Sequence, residues 1–293
     1  MKAFYSSAIW ICVFFVSIVY FQNTYAQNKS HSAFNIKPFE RKAFIENKGQ
    51  FNSQLPSDKQ NFNYCVDKGY QIFFYNNTLT YRFQKITHRK EKLGDVLKSE
   101  ERREELEHEM NKEEQFIQVE WLNTNPNATI EVSEKSTTIY SYLLKDKNQT
   151  NYTQMCEGYS KLTYKNLYTG IDVEYIFHPT EGIKYNIIAS VGADLSQIKL
   201  KYTGQKSIEI LNGEVHIKTI IGDIVEKQPV SYHSNNSSNS IPSSYTLQNN
   251  ILSFDIRNSS TNNITIDPWV VVPGTAGNVA YDNGTDAIFM VVL

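Results

Sequence analysis

The sequence predicts an all-β protein, an antiparallel β-sandwich or two packed sandwiches, carrying one charged helical insertion. Three observations favour this fold class. Apolar and polar residues alternate in several runs, which is typical of strands with one buried face. Glycines separate those runs at spacings of about ten residues, and this spacing indicates antiparallel strands joined by turns. An Asn-Asn step between two of the runs indicates a β-hairpin.

The hairpin is predicted over residues 71–83, with Asn76 and Asn77 at its turn. Asparagine tolerates the positive φ that a two-residue turn requires. On the second arm every second residue from Leu79 to Phe83 is apolar, and the residues between them are polar. We therefore expect the two sets to face opposite sides of the sheet.

The same alternation and the glycine spacing predict the later strands. These strands are expected at 117–121, 171–177, 183–187, 198–202, 251–256 and 264–266. The stretch 234–244 is rich in Asn and Ser and is predicted to be a loop. The glycines that separate the central runs are Gly170, Gly182, Gly192, Gly204, Gly213 and Gly222.

Residues 90–114 differ from the rest of the chain in their charge. They contain six Lys or Arg and ten Asp or Glu, and their apolar members are Leu93, Val96, Leu97, Leu106 and Met110. A narrow apolar stripe among charges predicts a helix or helical hairpin inserted between strands. We expect its charged face to be solvated; a docking arm for a partner is the alternative.

The N-terminal residues predict export. Lys2 precedes an apolar run at 8–21, and residues 24–26 form an A-x-A-like cleavage site, so 1–26 is interpreted as a signal peptide. The run is shorter than the roughly 18 residues of a membrane-spanning helix, although a single N-terminal anchor is the alternative. Residues 27–42 are predicted to form a flexible leader. No second long apolar run follows, so we expect no membrane span after cleavage.

The charge balance argues against a general nucleic-acid-binding protein. The 293 residues carry 29 Lys and Arg against 31 Asp and Glu, a net charge of −2. A chain without a global basic field has little attraction for a phosphate backbone. The length allows one large β domain or two average ones.

Two cysteines, Cys65 and Cys156, remain after removal of the signal peptide. In an oxidising compartment they can form one disulfide. Its loop of about 90 residues would stabilise the fold by ~4 kcal/mol in the chain-entropy model. Two buried thiols acting as small apolar groups are the alternative, and the sequence leaves both open.

Few residues suggest chemistry. Asp172 and Glu174 lie two apart on one predicted strand, and paired carboxylates act as acid and base in glycosidases. Their alternation with apolar residues is typical of a solvent face, so we predict no catalytic residue. No spacing indicates a metal site or a cofactor. Tyrosines such as Tyr70, Tyr75 and Tyr159 suggest an alternative, the stacking of sugar rings on a carbohydrate-binding sandwich.

Six motifs occur in order along the chain and together resemble one known family. Their residues are Glu46, Asn47, Lys48, Gly49 and Gln50; Tyr168, Gly170, Ile171, Asp172 and Tyr175; Gly182, Lys184 and Tyr185; Gly192, Ala193 and Asp194; Gly213, Gly222 and Pro229; and Asp267, Pro268 and Trp269. The series resembles the "ENKGQ" N-terminal module of large secreted proteins of Bacteroidota. The resemblance covers about Phe44 to Trp269, so a β module is predicted at 43–269.

In that family the Asp-Pro-Trp end leads into β-propeller-like repeats of the SBBP type, adhesive modules and a type IX secretion sorting domain. The resemblance implies that 270–293 is a linker and the start of a truncated repeat region. It also implies an extracellular or cell-surface location, reached through the periplasm, and protein or extracellular glycan partners.

The predicted function is a non-enzymatic structural or interaction module at the N-terminus of a bacterial cell-surface or secreted repeat protein. A carbohydrate-binding module is the alternative, and a glycoside hydrolase using Asp172 or Glu174 is less favoured. Neither the resemblance nor the residues assign a catalytic, cofactor-binding or metal-ligating position.

Overall fold

The structure is a computed structural model that describes residues 42–67, 70–87, 111–177, 182–256 and 262–273. The predicted signal peptide, the leader up to residue 41 and residues 274–293 of the predicted repeat region lie outside these ranges. Within them the regular elements are β-strands and two single-turn 3-10 helices, Ser57–Lys59 and Leu195–Gln197. No helix in the described part of the chain is both long and apolar enough to cross a membrane.

The strands are numbered in chain order. They are β1 (Phe44–Glu46), β2 (Tyr64–Asp67), β3 (Gln71–Phe74), β4 (Thr78–Thr87), β5 (Asn111–Trp121), β6 (Thr129–Lys135), β7 (Tyr140–Lys145), β8 (Asn151–Cys156), β9 (Gly158–Tyr168), β10 (Ile171–Phe177), β11 (Ile183–Ala189), β12 (Lys199–Thr203), β13 (Ser207–Leu211), β14 (Glu214–Lys218), β15 (Asp223–Glu226), β16 (Val230–His233), β17 (Asn236–Ile241), β18 (Ser243–Gln248), β19 (Ile251–Ile256), β20 (Ile264–Asp267) and β21 (Trp269–Val271).

All of these strands except β7 and β8 belong to one antiparallel sheet. Its hydrogen-bonded order runs β18-β19-β12-β5-β4-β3-β2-β1-β9. Strand β10 follows β1 along the same edge of β9 and pairs in turn with β11, while β6 pairs with the opposite edge of β9. Beyond β11 the sheet divides into two arms, β20-β16-β17 and β21-β15-β14-β13. Strand β13 approaches β18 at the far end, so the sheet curls into a nearly closed barrel.

The all-β, antiparallel prediction is confirmed, and the predicted sandwich is not. Alternating burial is the same in a sandwich and in a barrel, because both bury one face of each strand. A sandwich and a barrel differ in which strands are hydrogen-bonded to each other. Here β9 pairs with β1, β6 and β10, and β11 pairs with both β20 and β21. These pairings join these strands into one sheet rather than two.

The main core fills the interior of this sheet. Its largest fully buried side chains include Trp121, Tyr164, Tyr168 and Tyr202. The Trp121 indole nitrogen donates to the Tyr175 hydroxyl at 3.2 Å, which satisfies two polar groups inside the core. Burying each large apolar side chain stabilises the fold by roughly 1.5–3 kcal/mol.

The predicted hairpin at 71–83 is confirmed as β3 and β4, with Phe74 opposite Leu79 and Gln71 opposite Arg82. The apolar set from Leu79 to Phe83 lies in the main core. The polar set faces the other side but is covered as well, because Arg82 is only 7% exposed and donates to the carbonyl oxygen of Gln54 at 3.1 Å.

A satellite core lies between the outer face of β1–β3 and the separate β7–β8 hairpin. Its buried members are Ala43, Ile45, Phe51, Leu55, Phe62, Cys65, Phe73, Tyr140, Tyr142 and Cys156. The outer face of β7–β8 is apolar in part, with Leu143 and Met155 exposed. Successive residues of β1–β3 therefore alternate between two cores, so both faces of these strands are apolar.

Two predicted elements are corrected by the strand pairing. The charged insertion at 90–114 was expected to be helical to its end, but residues 111–114 belong to β5 and pair with β4. The rest of that prediction, up to residue 110, lies outside the described residues. The predicted loop at 234–244 contains β17 and the start of β18. Strand β17 is exposed on both faces up to Ser240, so no alternation marks it in the sequence.

Candidate functional site

The two arms of the sheet separate at a fork beside β11, and three prolines lie in the segments around it. Pro268 lies between β20 and β21, which pair with different parts of β11. Residues 227–229, the crossing segment, lead from β15 in one arm to β16 in the other, and Pro229 is the last of them. Pro242 separates β17 from β18. Proline has no N–H to donate and interrupts a strand ladder. The arms consequently diverge here and leave a groove between them.

The groove has a volume of about 640 Å³ and is lined by both arms. Trp269 and Glu214 come from one arm, Val230 and Ser231 come from the other, and Pro229 lies on the crossing segment between them. Val230 is 49% exposed and Trp269 is partly exposed. An open concave surface with an aromatic ring and a few polar groups is the usual form of a ligand site.

The crossing segment is held in place by its own backbone. The Lys227 N–H donates to the carbonyl oxygen of Trp269 at 3.0 Å. The Tyr245 hydroxyl donates to the Lys227 carbonyl oxygen at 2.9 Å, and the Ser243 hydroxyl donates to the Pro229 carbonyl oxygen at 3.0 Å. These contacts set the groove on rigid elements rather than on a free loop.

The charges around the groove are paired. Lys227 Nζ lies 3.0 Å from Glu214 Oε1 at the rim. Behind Trp269, Lys184 Nζ lies 2.6 Å from Asp267 Oδ2, and Lys184 is the cross-strand partner of Trp269. Each cation is therefore balanced by one anion, and the groove presents no excess of either sign.

Two buried oxygen atoms near the fork lack a hydrogen-bond partner among the described residues. They are Ser231 Oγ, on a side chain that is 1% exposed, and Asp267 Oδ1. A buried polar atom left unpaired costs about 1–3 kcal/mol. Asn186 Oδ1 and Gln205 Oε1, which do not line the groove, are unpaired in the same way, so these atoms do not by themselves mark a ligand site.

The structure brings three of the sequence motifs together at this fork. Pro229 lies in the crossing segment, Lys184 lies on β11, and the Asp267–Trp269 run forms the branch point. The sequence reasoning identified these residues only as members of a family pattern. It missed Ser231, Lys227 and the 240–243 segment, because nothing in their local pattern marks a groove.

The motif at residues 46–50 builds a tight turn far from the groove along the chain. Asn47 Nδ2 donates to the carbonyl oxygens of Gln60 at 3.1 Å and Phe62 at 2.7 Å, while its Oδ1 accepts from the Gly49 N–H at 2.9 Å. Gly49 has a φ of +83°, which favours glycine. The Gln50 side chain donates to the Glu46 carbonyl oxygen at 2.8 Å.

The same motif also ties the turn to β8. Lys48 Nζ lies 2.6 Å from Glu46 Oε1 and donates to the Met155 carbonyl oxygen at 3.1 Å. Glu46 Oε1 in turn accepts from the Glu157 N–H at 2.7 Å. The motif therefore closes the satellite core and has a folding role.

Most of the other motif residues are explained by the main core and by turns. Tyr175 and Tyr185 lie in the core next to Ile171, and the Tyr168 hydroxyl donates to the Leu122 carbonyl oxygen at 2.9 Å. Several glycines have positive φ in turns: Gly170, Gly192, Gly213 and Gly222. Ala193 is packed against the core, and Asp194 caps the short helix at Leu195–Gln197 by accepting from the Ser196 N–H.

The predicted carboxylate pair is on the outer face of β10, and each member has its own cation. Asp172 is paired with Lys165 and accepts from the Asn166 N–H at 2.6 Å. Glu174 Oε2 lies 3.1 Å from Lys161 Nζ. Each carboxylate thus has its own lysine on the outer face of the sheet, which agrees with the solvent-face interpretation.

The tyrosines proposed for sugar stacking are not exposed platforms. Tyr70 is 6% exposed and lies in the main core, so it offers no surface to a sugar ring. Tyr75 packs against the satellite core and donates to the Lys59 carbonyl oxygen at 2.9 Å. Tyr159 donates to Glu157 Oε2 at 2.9 Å. The aromatic ring that lines a groove is that of Trp269.

Cys65 and Cys156 are both free thiols, and both are fully buried in the satellite core. Burial raises the pKa of Cys65, and burial likewise raises the pKa of Cys156 to about 11. Thiols of this kind are weakly reactive. Formation of a disulfide between them stays a prediction.

The most deeply buried carboxyl group was not anticipated from the sequence. Glu226 is 4% exposed and accepts hydrogen bonds from the hydroxyls of Tyr185 and Tyr202. The sequence feature that could have revealed its burial is its position on the apolar face of β15, two residues after the buried Ile224. Glu226 does not line the groove. Among the described residues, no cluster of three or more His, Cys, Asp or Glu could hold a metal ion.

Comparisons with known proteins agree with the motif series. The chain matches no curated protein and no solved structure with which it was compared. One family model matches residues 44–269, the same span over which the six motifs occur. That match covers more than half of the chain. The chain therefore belongs to the family described as a domain of unknown function, DUF7948.

Proposed function

We propose that this protein is a non-enzymatic, exported interaction module that contacts its partner through the groove at the fork of the sheet. The observation that carries the proposal is that two motif residues, Pro229 and Trp269, line that groove, and that Lys184, a third, is the cross-strand partner of Trp269. The other motif residues have folding roles in turns and cores. A set of residues that is not needed to fill a core is a candidate for binding.

The arrangement of the carboxyl groups favours binding over catalysis. Asp172 and Glu174 are each neutralised by a lysine on the outer face of the sheet. Glu226 is enclosed by tyrosines inside the main core and lies away from the groove. At the groove itself Glu214 is paired with Lys227. A general acid or base needs to be within hydrogen-bond reach of a reacting group.

The wider setting follows from the predicted signal peptide and from the resemblance of the motif series. We propose an N-terminal position in a secreted or cell-surface protein of Bacteroidota, ahead of SBBP-type repeats and a type IX sorting domain. In that setting the module would be extracellular and its role would be structural or adhesive. Protein or glycan partners at the cell surface fit this role.

The proposal is tested on intact cells of the source bacterium. Protease treatment of whole cells, followed by detection of the chain with an antibody, measures whether it is exposed outside. Retention of the exported chain at the surface is then compared for the wild type and Trp269→Ala, after thermal unfolding has established that the variant is folded. Tyr152→Ala is the control, because Tyr152 is 45% exposed on β8 and does not line the groove.

We expect surface exposure of the chain, retention that falls with Trp269→Ala, and no change with Tyr152→Ala. Protection from protease in intact cells but not in lysed cells would contradict export to the surface. Equal retention of a folded Trp269→Ala variant would contradict the role of the groove.

A further inference from the structure

We propose that the groove at the fork binds a neutral oligosaccharide, with one sugar ring packed on Trp269. This inference rests on the proposed function, in that it names the ligand class of the same groove. Four features of the groove support it: the shape, the paired charges, the hydroxyl and amide side chains, and the hydrogen-bonded backbone of residues 227–229.

The groove is of the size and composition that a short oligosaccharide requires. Its volume of about 640 Å³ falls within the roughly 300–1,000 Å³ of small-ligand sites. The apolar C–H face of a pyranose ring packs well on a flat indole, and Trp269 provides that ring. Pro229 and Val230 extend the apolar floor beside it, so the sugar would lie in a trough rather than on an isolated ring.

The paired charges favour a ligand without net charge. Glu214 and Lys227 neutralise each other at the rim, and Lys184 is neutralised by Asp267 behind Trp269. A phosphate or a uronic acid would find no unpaired cation here, and a basic ligand would find no unpaired carboxylate. The affinity of a charged ligand depends on such complementarity, whereas a neutral polyol does not need it.

The polar groups of the groove suit hydroxyl ligands. Ser240 and Gln228 line it and carry a hydroxyl and an amide. Hydroxyl and amide groups can both donate and accept, as sugar hydroxyls do. Ser231 also borders the groove, but its hydroxyl shares the core face of β16 with its cross-strand partners Ile241 and Ile266 and is not a ligand contact.

The backbone of residues 227–229 is unsuited to the addition of a peptide strand. Strand addition requires a row of free N–H and C=O groups along one edge. In the crossing segment the carbonyl oxygens of Lys227 and Pro229 already accept from Tyr245 and Ser243, and the Lys227 N–H already donates to Trp269. In this segment side chains, not the main chain, therefore supply the contacts that a ligand can use.

Tryptophan fluorescence can report on this groove directly. The chain has three tryptophans, Trp10, Trp121 and Trp269. Trp121 is fully buried, and Trp10 lies in the predicted signal peptide, so a Trp10→Phe background makes the reporter independent of cleavage. In that background, accessible emission comes from Trp269. The probes are neutral xylo-, cello-, malto-, manno- and chito-oligosaccharides, with galacturonan and chitosan oligomers as anionic and cationic comparisons.

We expect at least one neutral oligosaccharide to reduce the quenching of Trp269 by acrylamide in a saturable manner. Isothermal titration of the same ligand should show affinity reduced tenfold or more in Trp269→Ala. Trp269→Phe retains an aromatic ring and should lose less affinity than Trp269→Ala. Tyr152→Ala, away from the groove, should bind as the wild type does.

Two results would overturn the inference. One is binding of the charged oligomers only, or of none of the probes, by a folded protein. The other is unchanged affinity in a folded Trp269→Ala variant. If no saccharide binds but surface retention still depends on Trp269, the ligand class is wrong and the proposed interaction groove stands. If neither binding nor retention depends on Trp269, both proposals fail.

Discussion

The Tyr185 hydroxyl donates a hydrogen bond to Glu226 Oε2 at 2.9 Å inside the main core. Tyr202 donates to the other oxygen of the same carboxyl group. Burial raises the pKa of Glu226 above its ordinary value, and the hydrogen bonds from Tyr202 and Tyr185 oppose that rise. The polar centre of the barrel is therefore a carboxyl group whose ionisation is disfavoured by folding.

The pKa shift of Glu226 predicts how stability depends on pH. Because the folded state holds the proton more tightly than the unfolded state, the free energy of unfolding falls as pH rises from about 4.3, the unfolded pKa, toward the higher folded pKa. Glu226→Gln removes this titration. Relative to the wild type, the variant should gain stability across that window, by at most about 1.4 kcal/mol per pH unit.

Chemical denaturation at several pH values measures this difference. Glu209→Gln, at an exposed position of β13, is the matched control for the loss of one carboxylate from a strand. Parallel stability curves for the wild type and Glu226→Gln would show that the buried carboxyl group does not contribute in this way.

The thiols of Cys65 and Cys156 should be hidden from reagents in the native protein. Both side chains are fully buried, and burial raises both pKa values. We expect a thiol reagent at pH 7–8 to react negligibly with the folded mature protein and with two thiols per chain after unfolding in guanidinium without reductant. No reactive thiol after unfolding would instead establish the disulfide between them, and rapid reaction in the native state would contradict the burial.

The turn at residues 46–50 should contribute measurably to stability through Asn47. Asn47→Ala removes the donors to the carbonyl oxygens of Gln60 and Phe62 and the acceptor for the Gly49 N–H. We expect a loss of about 1–3 kcal/mol in the free energy of unfolding, because two partly buried carbonyls lose their partner.

Asn148→Ala in the exposed β7–β8 turn is the matched control, with an expected change of less than about 0.5 kcal/mol. Asn47→Asp retains the acceptor and separates its contribution from that of the donors. Equal stability of Asn47→Ala and Asn148→Ala would refute the folding role of the motif.

A close backbone contact at Gly182 should make alanine costly there. A Cβ on Gly182 would lie 2.2 Å from the Val270 carbonyl oxygen, so Gly182→Ala must displace β21 from β11. We expect a loss of about 1–3 kcal/mol, as in other overpacked sites. The displacement should also change the emission of the adjacent Trp269.

Gly192→Ala provides the comparison. Gly192 has a φ of +78° but no atom within 4 Å of its added Cβ. Its cost is that of the left-handed backbone alone, about 1 kcal/mol, and Trp269 emission should not change. A smaller loss in Gly182→Ala than in Gly192→Ala would contradict the close packing of β21 on β11.

Local chemistry made several elements predictable. The hairpin of β3 and β4 followed from alternation and from Asn76-Asn77 at its turn. The strands at β10, β11 and β12 were also visible, because each buries one face and the polar residues between face out. The prediction of a loop at 234–244 was wrong for the opposite reason. Strand β17 is an exposed edge strand with polar residues on both faces, and such a sequence resembles that of a loop.

The sequence by itself determined the all-β fold class, the strands with alternating burial, the turns at positive-φ glycines and the family, because these depend on residues close together in the chain. Only the tertiary structure decided the fork beside β11, the groove at Trp269, the satellite core and the enclosure of Glu226. Each of these depends on pairing between distant segments, as when β11 meets β20 and β21. A period of two specifies which side of a strand is buried, and it carries no information about which strand lies next to it.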